Sequence, residues 1–514
     1  MTHSTPLREF KKVLVANRGE IAVRVIRALR EEGIESAAIY SDPDRQGLPV
    51  LLADEAYRIG PAASRDSYLQ GPAIVELAQK IEADAIHPGY GFLAENAEFA
   101  ALCQAAGVCF IGPPATAIAA MGSKIESRRL ITAAGVPIVP GGTEGLETVD
   151  EAAAFAEEIG YPVMLKASAG GGGKGMRLVL EPEALEAAYR AARSEAGASF
   201  GNDTVYMEKY IEQPRHVEVQ ILGDEHGKVV ALGERECSLQ RRHQKVVEES
   251  PSPVVSPELR REMCSAAVKA AQAVGYTNAG TVEFLLAPSG EFYFLEMNTR
   301  LQVEHPITEM VTGLDLVRAQ LAVAQGHPLG EEFEDLQPNG HAIEVRLYAE
   351  DPYHGFVPSP GRIERLRWPE GPGVRNDAGV YEGAEVTIYY DPLLAKLIVW
   401  GRNRQQAMDR LSRALTELRI EGIRTTAPLF VALLKDVDFV AGNLDIGMLD
   451  RKLAAGELAP EQHSEFEDLA VIAASLEHVA NQARVSGSPA KQGGLRGQWR
   501  QAGRRESLRG EPWS

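Results

Sequence analysis

The sequence predicts a protein of mixed α/β and α+β class, built from several domains and ending in a helical tail. Over residues 1–122, short apolar strands alternate with helical patterns, which is typical of a parallel, Rossmann-like sheet. Further along, strands flank a glycine-rich loop and then form a hairpin that carries carboxylates. The length of 514 residues is too great for one ordinary core and sufficient for about three domains.

Composition excludes several classes of protein. Apolar residues make up 45% and charged residues 24%, as in soluble globular proteins. There is no run of 18 apolar residues, so we expect no membrane span. The first residues lack the apolar core of a signal peptide, and the four cysteines show neither metal-ligand nor disulfide spacing, so we expect a cytoplasmic protein. The net charge of −19 argues against nucleic-acid binding.

The chain begins with the elements of the parallel sheet. Lys11–Ala16 is a predicted strand, and Asn17-Arg-Gly-Glu opens a helix with one apolar face. His87-Pro-Gly-Tyr-Gly lies just past the carboxyl end of a later strand, where such sheets place ligands. A plain Gly/Pro turn without a ligand remains an equal alternative for this loop.

A glycine-rich loop joins two predicted strands. Pro162–Lys166 is the first strand, Ser168–Gly175 is the loop, and Met176–Leu180 is the second strand. Because a strand and not a helix follows, the loop is neither a Rossmann fingerprint nor a P-loop. It is typical of a flexible flap whose backbone N–H groups approach phosphates, with Lys166 as a point charge at its base. A linker is the alternative, although linkers are rarely bracketed by apolar strands.

A basic cluster follows the next strands. Val205–Ile211 and His216–Ile221 are predicted strands, and Gln240-Arg-Arg-His-Gln-Lys245 then places four cationic or potentially cationic residues within six. A solvated basic loop would explain the cluster. In an acidic chain, a pocket for an anion is the better interpretation.

The hairpin that comes next carries the carboxylates. Gly280–Leu286 and Phe292–Glu296 are predicted strands joined by a turn, so Glu283 and Glu296 could face each other. With the Asn298 amide they form a set of hard oxygen ligands, which Mg²⁺ prefers. The polar run that follows is hard to explain as a solvated loop, and it contains Arg300, Gln302, Glu304 and His305.

The last third begins with an alternating strand, His341–Leu347, which places Arg346 on the same face as Glu344. Further strands and a helix near residues 405–418 predict an α+β domain that packs against the central domain. Beyond residue 453, a capping box at Ser464 introduces an amphipathic helix over residues 464–482. Residues 484–514 carry a net charge of +5, against −24 for the remainder of the chain.

Taken alone, these residues predict Mg-ATP bound between a glycine flap and a two-glutamate metal site, beside an anion pocket. An anion small enough for the corner formed by Lys245, Arg300 and Gln302, such as bicarbonate or a carboxylate, would attack the γ-phosphate. The product would be an acyl or carboxy phosphate. That chemistry defines a generic ATP-dependent ligase.

Long motifs make the chain recognisable. Glu296-Met-Asn-Thr-Arg-Leu-Gln-Val-Glu-His-Pro306 resembles the signature of biotin carboxylases, which belong to the ATP-grasp superfamily. The resemblance covers roughly residues 10–452 and includes the segments 16–22, 87–96, 166–176, 241–249 and 389–396. It implies a Rossmann-like domain over 1–122, an ATP-grasp domain over 123–335 with a glycine-rich lid at about 140–205, a C-terminal α+β domain over 336–452 and a tail over 453–514.

The resemblance also assigns roles, residue by residue. It implies that the ATP site comprises Lys124, Lys166, Gly171, Gly172, Gly173, Glu208, Lys209, His216, Gln240 and His243. It implies that Glu283, Glu296 and Asn298 hold Mg²⁺ or Mn²⁺, and that bicarbonate meets Lys245, Arg300, Gln302, the Val303 amide and Glu304. The expected catalytic residues are Glu304, Arg346, Lys245 and Arg300. Glu304 would deprotonate bicarbonate, and Arg346 would bind biotin and stabilise its enolate. Ala169, where many relatives have another glycine, is a departure that concerns the mobility of the flap.

The partners follow from what the sequence lacks. Carboxylases that carry their own biotin have an Ala-Met-Lys-Met attachment sequence, which this chain lacks, so we expect biotin on a separate carrier protein. We expect a homodimer that serves with carboxyltransferase subunits in an acetyl-CoA, acyl-CoA or pyruvate carboxylase, the first of which belongs to fatty acid biosynthesis. The tail would dock the carrier or the carboxyltransferase, or else fold back on its own body.

Two other functions stay open at this point. One is a different ATP-grasp ligase that activates a carboxylate or bicarbonate, such as a carbamoyl-phosphate-type enzyme. The other is a non-catalytic ATP-binding subunit. The presence of Glu283, Glu304, Lys245 and Arg346 argues against the second, because a decayed site would have lost such residues.

Overall fold

A computed structural model describes residues 7–142, 145–168, 176–334, 336–459, 471–476 and 478–479. The chain forms two compact units, residues 1–459 and 460–514. The glycine loop from Ala169 to Gly175 lies outside the described residues, as does the capping box at Ser464. No helix among the described residues is long and apolar enough to cross a membrane.

The N-terminal part is a five-stranded sheet with its helices. Its elements are β1 (Lys12–Val15), α1 (Gly19–Glu31), β2 (Glu35–Ser41), α2 (Leu48–Leu52), β3 (Glu55–Gly60), α3 (Gly71–Lys80), β4 (Ala85–His87), α4 (Ala97–Ala105), β5 (Cys109–Phe110) and α5 (Ala115–Gly122). The strand order is β3-β2-β1-β4-β5, and every pairing is parallel. The predicted Rossmann-like sheet is confirmed, and the loop after His87 lies at the carboxyl edge of its strands.

A small sheet follows. Its elements are α6 (Lys124–Ala133), α7 (Val149–Ile159), β6 (Val163–Ala167), β7 (Arg177–Val179), α8 (Leu185–Phe200) and β8 (Val205–Lys209). The strands pair antiparallel in the order β7-β6-β8. The predicted strand on each side of the glycine loop is therefore confirmed.

The remaining strands build one large sheet. The central elements are β9 (Arg215–Gly223), β10 (Val229–Arg241), β11 (Gln244–Ser250), α9 (Pro257–Ala273), β12 (Asn278–Leu286), β13 (Phe292–Asn298), α10 (His305–Thr312) and α11 (Leu316–Ala324). The later elements are β14 (His341–Tyr348), β15 (Glu350–Asp351), β16 (Val357–Pro358), β17 (Gly361–Arg362), β18 (Arg365–Arg367), β19 (Val374–Ala378), β20 (Glu385–Val386), β21 (Leu393–Gly401), α12 (Arg404–Glu417), β22 (Arg419–Glu421), α13 (Ala427–Leu433), α14 (Val437–Ala441) and α15 (Met448–Ala455). The eight-stranded order is β13-β12-β9-β10-β11-β14-β21-β19, antiparallel throughout.

The join between β11 and β14 is the feature that the sequence did not predict. Val247 pairs with Val345 and Glu248 with Glu344, so the C-terminal strands extend the central sheet instead of only packing against it. Charged side chains of β11 and β14 are thereby brought side by side. This join places Arg346 beside residues that precede it by about a hundred positions.

Candidate active site

Two of the three predicted metal ligands lie opposite each other on the β12–β13 hairpin. Glu283 is the register partner of Glu296, and Thr281 is the partner of Asn298, so all three predicted ligands share one face. A turn at residues 288–290 closes the hairpin, as predicted. Glu296 makes no hydrogen bond or ion pair within the described part of the chain and is solvent-exposed, whereas Glu283 is buried.

Lys245 is the centre of a buried charge cluster. Its ammonium nitrogen lies 2.5 Å from Glu218 Oε2, 2.8 Å from Glu283 Oε1 and 2.7 Å from Glu304 Oε1. Burial disfavours the charged lysine, but the three carboxylates outweigh it and hold the pKa of Lys245 well above its usual value. Lys245 is therefore a fixed positive charge at the junction of β9, β11, β12 and the segment before α10.

Glu304 lies between two cations. Its second oxygen, Oε2, accepts a hydrogen bond from Arg346 Nη2 over 2.8 Å, while Oε1 contacts Lys245. The Arg346 guanidinium also donates through Nε to Glu248 Oε1 over 2.6 Å. Burial would raise the pKa of Glu304, but Lys245, Arg346 and Arg235 hold it well below its usual value. Glu304 is thus an ionised carboxylate with no solvent exposure.

Arg300 and Gln302 extend this cluster toward the N-terminal sheet. Arg300 donates to Glu95 Oε2 over 2.8 Å and to Gln302 Oε1 over 2.7 Å, and its Nη2 donates to Asn298 Oδ1 over 3.2 Å. Gln302 donates in turn to Glu283 Oε1 over 3.2 Å. The structure therefore joins four of the five predicted bicarbonate residues to two of the three predicted metal residues through hydrogen bonds, whereas Glu296 stays outside this group.

The predicted nucleotide residues fall into a second group around Glu208. This buried carboxylate pairs with both Lys166 and Arg128. Lys124 begins α6 behind the N-cap Ser123, and burial lowers its pKa despite the attraction of Glu296. Lys209 donates instead to the backbone carbonyls of residues 160 and 161, over 2.9 and 2.8 Å.

The predicted basic cluster divides at the β10–β11 turn. Gln240 and Lys245 are register partners at the two strand ends and both point into protein, whereas Arg242 and His243 form the turn with positive φ and are exposed. His243 therefore does not join the cluster around Lys245 in this structure. His216 does, because its Nε2 lies 2.9 Å from Glu283 Oε2, and that carboxylate raises the pKa of His216 against the effect of burial. Gly171, Gly172 and Gly173 lie outside the described residues.

A cavity of about 530 Å³ opens beside the cluster. Arg300, Val303 and Arg346 line it together with aromatic residues from distant segments, among them Tyr90 and Tyr389. Arg346 is 7% exposed and Tyr389 57%, so the cavity runs from the buried charge cluster to the surface. Its volume is in the range of small-molecule sites.

Sequence reasoning missed the acidic partners of the predicted cations. Lys245 pairs with Glu218, Arg346 with Glu248 and Arg300 with Glu95. None of these three glutamates was predicted as a site residue. Glu218 had a signal, because it lies two residues after His216 in an alternating strand and so shares its face. Glu248 and Glu95 had none, since strand pairing and packing between distant segments bring them to Arg346 and Arg300.

The donor set fits a magnesium ion. Glu283, Glu296 and Asn298 offer hard oxygen atoms on one face of the hairpin, with the free carboxylate of Glu296 toward solvent. His216, Glu218 and Glu283 also lie close enough together to hold an ion. In this structure, however, Lys245 already neutralises Glu218 and Glu283. The set that includes Glu296 is the better fit, because this carboxylate makes no ion pair among the described residues.

The fold and the buried charge cluster around Lys245 define the class of this protein. A small antiparallel sheet with a glycine loop, a large antiparallel sheet with paired carboxylates and a Rossmann-like domain before them form the ATP-grasp architecture. Residues 9–118 match the model of the biotin carboxylase N-terminal domain, residues 344–451 that of the biotin carboxylase C-terminal domain, and residues 123–332 that of the carbamoyl-phosphate synthase L chain ATP-binding domain.

Individual relatives agree with this class. The chain is 54% identical to a subunit of the pyruvate carboxylase of Methanothermobacter thermautotrophicus, over 86% of this chain and 90% of the relative. It is 53% identical to biotin carboxylase 1 of Bacillus subtilis, over 86% and 98%. The biotin carboxylase domain of Hydrogenobacter thermophilus 2-oxoglutarate carboxylase, solved as a dimer with MgADP, ADP and bicarbonate, is 49% identical with a TM-score of 0.83, over 88% and 100%. The chain belongs to the biotin carboxylase family.

Proposed function

We infer that this chain uses ATP and bicarbonate to carboxylate biotin held on a separate carrier protein, which is the first half-reaction of a multisubunit carboxylase. The observation that carries the inference is the position of Glu304, an ionised buried carboxylate between Lys245 and Arg346. A neighbouring cavity reaches the surface and is lined by Arg300, Val303 and Arg346. Together they supply a base, cations for a small anion and room for a ureido ring.

In the first step, Lys245 and Arg300 attract bicarbonate, and Glu304 takes its proton as the bicarbonate oxygen attacks the γ-phosphorus of ATP. The bond from that phosphorus to the bridging oxygen breaks, so that ADP leaves and carboxyphosphate is formed. A carboxylate held at so low a pKa is a weak base when the site is empty. When an anion takes over part of the contact with Lys245 and Arg346, those cations stabilise the ionised Glu304 less, and its pKa rises. Binding of bicarbonate thereby strengthens the base that bicarbonate needs.

The nucleotide is held by the second group of residues. Lys166 and Lys124 provide positive charge for its phosphates, and Glu208 fixes Lys166 at the base of the glycine loop. Glu283, Glu296 and Asn298 would hold Mg²⁺, which when bound neutralises phosphate charge. His216, Gln240 and Lys209 lie on the adjoining strands and complete the proposed ATP site.

In the second step, carbon dioxide from carboxyphosphate reaches biotin in the cavity. Arg346 carries a permanent charge at the buried end of that cavity, and Glu248 fixes the plane of its guanidinium through Nε. Carboxyphosphate splits into carbon dioxide and phosphate, the ring nitrogen of biotin gives its proton to that phosphate, and the nitrogen bonds to the carbon of carbon dioxide. A guanidinium in the position of Arg346 stabilises the enolate oxygen that develops on biotin in this step.

The domain boundaries at residues 122, 335 and 452 remain part of the proposal, as do the partners. We propose a homodimer that works in the cytoplasm with a biotin carrier and a carboxyltransferase. Relatives of nearly equal identity are named for pyruvate and for 2-oxoglutarate carboxylation. The final acceptor is therefore set by the carboxyltransferase partner, with acetyl-CoA carboxylation in fatty acid biosynthesis as one such assembly.

The proposed function is tested by ATP hydrolysis with purified protein, bicarbonate and free biotin. Biotin should stimulate an ATPase that depends on bicarbonate, and acid-labile [¹⁴C]carboxybiotin should accumulate. ATP turnover that depends on ammonia or on a different carboxylate, and ignores biotin, would instead indicate another ATP-grasp ligase. The matches on both flanking domains favour the first result.

A further inference from the structure

Two exposed apolar residues follow each other in a loop that borders the cavity, and the second of them, Tyr389, lines it. The loop of residues 387–392 connects β20 to β21 and contains Ile388, Tyr389 and Tyr390 in succession. Ile388 is 72% exposed and Tyr389 is 57% exposed, which places them among the most exposed large apolar residues of the described chain. Exposed apolar side chains are common on protein surfaces, and what distinguishes Ile388 is that it directly precedes a residue that lines the cavity.

The third residue of the run shows that the loop is held firmly. Tyr390 Oη donates to the carbonyl oxygen of Ala62 over 2.6 Å and lies 2.5 Å from Ser41 Oγ. The guanidinium of Arg18 stacks 4.3 Å from the centre of its ring, and the ring of Tyr68 lies edge-on at 5.5 Å. The N-terminal sheet therefore anchors the loop, and Ile388 and Tyr389 project from a fixed base.

The position of the loop relates it to the reaction. Tyr389 and Tyr390 line the same cavity as Arg346, which lies at the buried end. Biotin on a carrier enters such a cavity on a short lysine arm, so the surface of the carrier must stop at the exposed end. Ser64 and Asp391 also line this end and give it a polar margin, as protein interfaces have around their apolar centre.

We propose that Ile388 and the outer edge of Tyr389 are the docking contact for an apolar patch beside the biotinyl-lysine of the carrier domain. The inference rests on the proposed function and extends it to a surface that free biotin does not need. An exposed isoleucine that precedes an exposed tyrosine, on a loop that Tyr390 anchors, gives an apolar anchor of the kind that dominates small interfaces.

The test compares two substrates of one enzyme. Ile388→Glu replaces the apolar contact with a charge, and Ile388 does not line the cavity. The control is Val437→Glu, at the first position of α14, where an equally exposed valine (76%) lies outside the cavity lining. Carboxylation is measured with free biotin and with the biotinylated carrier domain that the wild-type chain carboxylates best. Light scattering of each variant reports the oligomeric state.

Ile388→Glu should raise the KM for the carrier by roughly tenfold and leave kcat/KM for free biotin within about twofold, while Val437→Glu changes neither. If Ile388→Glu left the KM for the carrier unchanged, or impaired carboxylation of the carrier and of free biotin by the same factor, the docking contact would be overturned. A changed oligomeric state of Ile388→Glu would also overturn the docking contact, because Ile388 would then belong to an interface between copies of this chain. If the wild-type chain does not carboxylate free biotin, the proposed function itself fails, which is a separate result.

Discussion

Glu304 and Glu344 are both fully buried carboxylates of the same charged interior, and they differ in every other respect. Glu304 contacts Lys245 and Arg346 at 2.7 and 2.8 Å. Neither oxygen of Glu344 has a hydrogen-bond partner among the described residues. Burial alone would raise the pKa of both.

Contacts with cations account for the opposite pKa shifts of the two carboxylates. Lys245 and Arg346 hold the pKa of Glu304 well below its usual value, whereas burial raises that of Glu344 well above it. Lys396 and Arg346 lie near Glu344 but are engaged elsewhere, Lys396 by Glu20 at 3.1 Å and Arg346 by Glu304. Two equally buried carboxylates of this region therefore differ in the direction of their pKa shift because only Glu304 is in direct contact with cations.

The largest effect on kcat is expected when each of the two buried glutamates is replaced by glutamine, which has nearly the same shape and no charge. Glu304→Gln removes a negative charge and a base, and should lower kcat for biotin carboxylation by about 10²–10⁴-fold. Glu344→Gln replaces a neutral acid with a neutral amide and should leave kcat within about threefold. Both are measured by carboxybiotin formation with free biotin. An equal loss in the two variants would remove the distinction between them.

The two glutamates of the β12–β13 hairpin offer a similar contrast. Glu283 is neutralised by Lys245, while Glu296 makes no ion pair within the described residues. We expect Glu296→Gln to abolish turnover by weakening the hold on Mg²⁺, and Glu283→Gln to have a smaller effect. Turnover is titrated against Mg²⁺ for each variant. Near-normal turnover of Glu296→Gln at ordinary Mg²⁺ would show that it is not a ligand.

The two carboxylates should also give opposite dependences of stability on pH. The raised pKa of Glu344 contributes stability below its unfolded value of about 4.3 and loses it as pH rises. The lowered pKa of Glu304 contributes stability above that value and loses it as pH falls. The Tm of Glu344→Gln relative to wild type should therefore increase as pH rises above about 4.3, whereas the Tm of Glu304→Gln relative to wild type should increase as pH falls below about 4.3 and stay constant above it. Parallel curves would contradict the assigned ionisation states.

The smallest effect on the catalytic activity is expected when the C-terminal tail is removed. Val471, Ile472, Leu476 and Val479 are exposed in the described part of the helix, with exposures from 54% to 66%. We propose that this stripe docks the carrier or the carboxyltransferase. Truncation after Ala459 retains the buried Leu458 and should leave activity with free biotin and Tm unchanged while abolishing co-elution with partners. A destabilised truncated protein would favour a tail that folds back on its body.

Local patterns predicted the parts of the site that lie within single elements. Alternation and turn chemistry were sufficient to place Glu283 opposite Glu296 and to separate the strands around the glycine loop. The motif predicted the proximity of Arg300 and Gln302 in the same way. Strand periodicity fixes the relation of the two glutamates, and the short separation of Arg300 and Gln302 beyond the end of β13 keeps those two side chains near each other.

The rest depended on pairing between distant segments. The join of β11 to β14 carries Glu248 to Arg346, and packing of the N-terminal domain carries Glu95 to Arg300. Neither join leaves a local pattern. In the basic cluster, residues that are close in sequence lie in different environments, because a β-turn exposes Arg242 and His243 while Lys245 enters the core. Composition could not distinguish these three positions.

The central claim is that Glu304 serves the first step and Arg346 the second. It is tested most directly by measuring bicarbonate-dependent ATP hydrolysis and biotin carboxylation side by side in Glu304→Ala and Arg346→Ala, with Tm as a check on folding. Arg346→Ala should lose biotin carboxylation and keep part of the ATP hydrolysis, whereas Glu304→Ala should lose both. Identical profiles for two folded variants would contradict the division of roles.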